Sequence, residues 1–190
     1  MRAVRIALVG AAIIVLATGV HATDTGRPLN ELGPANAPVT VVEYCSYDLD
    51  ACARLDVIIN GVLRDYSDRV RLIFHHVETD RTSAASSRFR AALAAGVQGQ
   101  FWQMHTVLMA NRDRAAVADV HAMAAQLGLD TERFARDITG STIVETAARD
   151  AAEAAAHSVT ALPGLFVNDR AVSVQSAKEL RAAIDMALHR

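Results

Sequence analysis

Cys45 and Cys52 are the only two cysteines of the 190-residue chain, and six residues separate them. Two thiols that close can bond across a turn if their Cα atoms come within about 4.4–6.8 Å. The spacing is compatible with a redox pair, with a static structural disulfide, or with two separate buried thiols. Glu43 lies two residues before Cys45 in an apolar run, where desolvation would raise the pKa of its carboxyl. His75 and His76 are neighbours in a second apolar run, so on a strand they point to opposite faces and do not share one ion. His105 and His121 fall in other segments. The spacing gives no metal-ligand pattern, and no metal or other cofactor is expected. Phe101 and Trp102 sit in an alanine-rich stretch and read as packing.

The elements that must position these side chains follow from periodicity. Residues 38–44, rich in β-branched types, fit a central strand covered on both faces. Asp48 is placed to cap a following helix, with Asp50 in its first turn. Leu55, Ile58, Ile59, Val62, Leu63 and Tyr66 recur at helical spacing, and residues 70–76 form a second strand. Strand, helix and strand in this length make a βαβ unit with parallel strands. Helical patterns then follow one another at 84–95, 100–111, 115–127, 131–139 and 143–156, with Asp130 and Ser141 as caps. Pro163, a strand at 165–167, a turn at Asn168-Asp169, a strand at 171–174 and a helix at 176–189 close the chain. The order is βαβ, an all-helical insert, then ββα.

Residues 1–22 have the pattern of a secretory signal: Arg2 and Arg5, an apolar run at 6–20, and small residues ending at Ala22. The apolar run is short for a membrane span, which needs about 20 residues, and the mature chain should hold none. Residues 23–33 read as a linker and residues 34–190 as one domain, with the helical insertion at about 80–157. The chain is 52% hydrophobic and 21% charged, a globular balance. Removing the signal takes Lys+Arg from 19 to 17 against 21 Asp+Glu. That near-neutral acidic balance, with no basic face, argues against nucleic acid as a partner. A periplasmic or secreted monomer is expected, in an oxidising space where a close cysteine pair tends to be bonded.

Three stretches carry a resemblance. Gly33-Pro34-Ala35-Asn36-Ala37-Pro38-Val39-Thr40-Val41-Val42-Glu43-Tyr44 is similar to the entry strand of DsbA-like proteins. Ala91-Ala92-Leu93-Ala94-Ala95-Gly96-Val97-Gln98-Gly99-Gln100-Phe101-Trp102-Gln103-Met104-His105 is similar to their helical insert. Val159-Thr160-Ala161-Leu162-Pro163-Gly164-Leu165-Phe166-Val167-Asn168 is similar to their cis-proline segment. The resemblance runs from about Gly33 to the C-terminus. It implies an α/β thioredoxin fold, a mixed sheet with an inserted helical subdomain. It also implies a cis Leu162–Pro163 turn that faces the active site, and a buried acid at Glu43 that exchanges a proton with the second cysteine.

The family's Cys-x-x-Cys falls on Leu49-Asp50-Ala51-Cys52, so the attacking position holds leucine. Leucine forms no mixed disulfide, and Asp48 and Asp50 oppose a thiolate at Cys52. The resemblance therefore implies a relative of the thiol-disulfide oxidoreductases that lacks the usual dithiol catalysis and binds an exported protein or peptide. The alternative is an active oxidoreductase working through a relocated Cys45/Cys52 pair.

Overall fold

The computed structural model describes residues 28–77, 84–111, 117–157, 159 and 161–190. The signal expected at 1–22 and the first part of the linker lie outside the described residues. Five strands form one sheet in the order β1-β3-β2-β4-β5. β2 (Val39–Cys45) and β3 (Val70–His76) are its parallel centre, in register from Val39 opposite Val70 to Cys45 opposite His76. α1 (Asp50–Leu63) crosses between them. β4 (Gly164–Val167) runs antiparallel to β2, and β5 (Arg170–Ala171) closes a hairpin with it. Asn168 and Asp169 take φ of 46° and 63°, the positive values a two-residue hairpin turn requires.

β1 (Glu31–Leu32) pairs antiparallel with β3 inside the stretch expected to be a linker. Two residues are too few to show a period-2 pattern. The Glu31 carboxylate holds the Arg71 guanidinium of β3. Gly33 leaves this strand at φ +86°, where a Cβ would lie 2.2 Å from the Val70 carbonyl oxygen; only glycine fits there.

The insert comprises α2 (Ala84–Gly96), α3 (Phe101–Ala110), α4 (Val117–Gln126), α5 (Thr131–Asp137) and α6 (Ser141–Ala156). The Asp130 carboxylate caps α5 by accepting from the Arg133 N–H at 2.9 Å. The final helix, α7 (Ala177–Leu188), is capped by Ser176. One face of the sheet, carrying Val39, Val41, Val70, Leu72 and Phe74, joins Leu55, Ile59, Val62, Leu180 and Ile184 in the main core. The opposite face is less covered than the apolar run at 38–44 suggests: Thr40, Val42, Ile73 and Phe166 are only half-buried. On that side α6 packs against β3 and seals its C-terminal end.

Candidate functional site

The chemistry-bearing residues gather where β2 ends and α1 begins. Cys45 is the last residue of β2 and Cys52 lies in the first turn of α1. They form a disulfide with Cα atoms 5.6 Å apart, and neither residue is exposed to solvent. Two separate thiols are thus ruled out. The Ser46 N–H donates to Cys52 Sγ at 3.3 Å.

The bond closes a short turn that other residues also hold. Arg88, a buried cation of α2, donates to the Tyr47 carbonyl at 3.2 Å and to the Asp48 carboxylate at 3.1 Å. That engagement corrects the expected cap. Asp48 is turned toward Arg88, the N-cap of α1 is Leu49, and no side chain caps this helix. Leu49 is half-buried against the core at the helix start, where the first turn leaves N–H groups and a positive dipole end.

Behind the turn runs a buried polar chain. The Tyr47 hydroxyl lies 2.8 Å from His105 Nδ1, and His105 Nε2 lies 3.1 Å from Asp56 Oδ1. Tyr47 and His105 are fully buried and Asp56 nearly so. Both contacts are satisfied when Tyr47 donates to Nδ1 and the Nε2–H donates to Asp56. Glu43 belongs to this neighbourhood. It is fully buried, neither carboxylate oxygen has a hydrogen-bond partner among the described residues, and burial pushes its pKa well up, with Asp56 adding to the rise. His76, opposite Cys45 in the register, is stacked between the Tyr47 and Phe89 rings. Burial pushes its pKa down to about 4.

The Leu162–Pro163 bond is cis, and both residues are half-buried. Tyr44 pairs with Gly164, so one step further along the antiparallel register Pro163 lies beside Cys45. The turn and the cysteine pair are therefore neighbours, and Leu49 stands at the start of the same helix.

His75 and His76 face opposite sides of the sheet. His75 Nδ1 lies 2.7 Å from Asp150 Oδ1 and 3.8 Å from Glu153 Oε2 of α6. Asp150 Oδ1 also accepts from Asn30 Nδ2 at 3.0 Å, and Asp150 Oδ2 from the His76 N–H at 2.7 Å. Sequence reading missed Asp150, Asp56 and the role of His105. Their partners lie between 49 and 120 positions away, and no local pattern announces them.

Comparison with known proteins agrees with this geometry. A family model described as Thioredoxin matches residues 27–186. The crystal structure of a thioredoxin-like oxidoreductase from Silicibacter pomeroyi DSS-3 is 27% identical, with a TM-score of 0.72 over 87% of this chain and 95% of that one. Oxidised BdbD from Bacillus subtilis has a TM-score of 0.74 at 20% identity, over 85% of this chain and 93% of that one. Among curated relatives, the Na(+)/H(+) antiporter NhaA 3 of Salinispora tropica is 37% identical over 139 residues, covering 73% of this chain and 21% of that protein. The chain thus spans about a fifth of the length of the curated relatives it matches.

Proposed function

Since the chain belongs to the DsbA-like thioredoxin-fold family, we propose that it is an exported binding module of that family, in which the Cys45–Cys52 bond is structural and an extended protein or peptide docks beside the Leu162–Pro163 turn. The observation that carries this reading is the site of the disulfide: both cysteines are fully buried, while Leu49 occupies the helix start where a nucleophilic thiolate would be stabilised. Thiol–disulfide exchange needs a thiolate to reach a sulfur along an open path. At the turn, residues 161–163 precede β4 and stand outside the strand pairing, so their backbone is placed for strand-like hydrogen bonding to an extended chain. Export rests on the signal pattern at 1–22; among the described residues no helix is long and apolar enough to cross a membrane.

Glu43 favours a second reading. An unpartnered carboxyl two residues from Cys45, on the same face of β2, is positioned to give and take a proton if the disulfide opens. Thiol titration and turnover separate the two. Under the first reading the native protein shows no free thiol, its disulfide resists millimolar dithiol reductant until the protein is unfolded, and insulin reduction stays at background. Turnover typical of a dithiol oxidoreductase, abolished in both Cys45→Ala and Cys52→Ala, overturns the first reading and establishes the second. Peptide docking is tested by NMR titration with extended peptides, with shifts expected at Ala161, Leu162 and Leu49. Intact mass of envelope protein should place the mature N-terminus near Thr23.

A further inference from the structure

The second cluster of ligating side chains lies on the other face of the sheet from the buried Tyr47–His105–Asp56 chain, at the end of β3. His75 Nδ1, Asp150 Oδ1 and Glu153 Oε2 all lie within 4.8 Å of one another. One imidazole and two carboxylates are a borderline-hard donor set, the kind that takes Zn²⁺ with one position open. Ligands at about 2.0–2.1 Å from a tetrahedral ion stand roughly 3.3 Å apart. Here His75 and Asp150 are 2.7 Å apart and His75 and Glu153 3.8 Å. The first pair must open and the second close by about half an ångström each. Glu153 is at the surface and free to close the second gap, while the buried His75–Asp150 pair would open as an ion took the place of the proton between them.

One feature goes beyond a chance meeting of polar groups. Asp150 is held from behind: Asn30 Nδ2 and the His76 N–H donate to its two oxygens, and Asn30 is itself tied to the Phe74 carbonyl at 2.7 Å. Such outer hydrogen bonds fix a ligating carboxylate before the ion arrives.

We propose that His75, Asp150 and Glu153 form a Zn²⁺ site joining β3 to α6, with its fourth position open. The ion replaces the proton between His75 Nδ1 and Asp150, and that imidazole proton moves to Nε2. The site is independent of the cysteine pair, and its test uses the oxidised, metal-stripped protein. Titration with Zn²⁺ alone, read by calorimetry and by competition with a chromogenic chelator, should give one ion per chain and a raised thermal midpoint. Glu153→Ala, a surface change that leaves the core intact, should weaken binding tenfold or more and remove the thermal shift. His75→Asn should abolish binding, and His189→Ala should leave it unchanged. Absence of one-to-one binding, or full affinity retained in Glu153→Ala, overturns the proposal.

Discussion

Glu43 is the side chain least at ease in this protein. A carboxyl buried without a partner stays protonated in the folded state at pH values where the unfolded chain has ionised. The unfolded chain then binds fewer protons than the folded one, so stability falls as pH rises above 4.5, Glu43's ordinary value. The slope is about 1.4 kcal/mol per pH unit, until the folded group itself ionises. Glu43→Gln removes that loss. Urea unfolding should show the variant ahead of the wild type by more at pH 8 than at pH 5, and an equal gain at both would refute the assignment. Leu49 makes the complementary case. The double variant Cys45→Ala/Leu49→Cys restores the family's dithiol spacing with Cys52 and frees Cys52 from its present partner. It should acquire insulin-reducing activity, whereas Cys45→Ala/Leu49→Ser should not. At this scale the sequence was informative: both cysteines, the leucine between them and the buried acid could be named from spacing and resemblance. It could not tell that Asp48 would serve Arg88 and leave α1 uncapped, because Arg88 lies 40 positions away.

Three of the ties that join elements among the described residues bear on the site, and one of the three is covalent. The disulfide closes a turn of sequence separation 7. By loop-closure entropy, its loss in Cys45→Ala/Cys52→Ala should lower stability by about 2 kcal/mol, measurable by denaturant unfolding. The second tie is His105, through which α3 grips both the turn and α1. His105→Leu leaves the Asp56 carboxylate and the Tyr47 hydroxyl buried without partners and should destabilise by about 2–4 kcal/mol. In a cycle with Asp56→Leu the coupling should exceed roughly 1 kcal/mol, since the two share one buried contact. Additive effects would mean that His105 acts by volume alone. The third tie is Asp150, which sews α6 to β3 and to Asn30. The longer helices were legible because their period holds over ten or more residues, and the two central strands because each is a seven-residue run rich in β-branched and apolar types. β1 and the insert's polar anchors were not: one is two residues long, and the others depend on tertiary placement.

Over the whole molecule the titrations of Glu43 and His76 oppose each other. His76 falls from 6.5 to about 4 on folding. Between those values the unfolded chain holds a proton that the folded chain refuses, so stability drops as pH falls, by roughly 3 kcal/mol in all. Glu43 acts in the other direction from pH 4.5 upward. For these two groups the effects cancel from pH 4.5 to 6.5, giving a plateau with a decline on either side. Thermal midpoints across pH 4–9 should trace that shape, and His76→Phe should remove the acid limb and turn the plateau into a decline that starts near pH 4.5. The overall order βαβ, helical insert, ββα could be read before any coordinate, because it follows from alternating periods and a run of alanine-rich helices. The half-covered second face could not, since an apolar strand reads alike whether one helix or several lie over it. That sheet also ends on both margins in a strand of two residues, β1 and β5. Fibril growth and edge-to-edge dimerisation need a row of unsatisfied backbone groups several residues long. Two residues supply about one repeat of such a row, and Arg170 sets a cation on the β5 margin. Among the described residues, crowded copies of this protein therefore meet at the sheet margins only edges too brief to zip along.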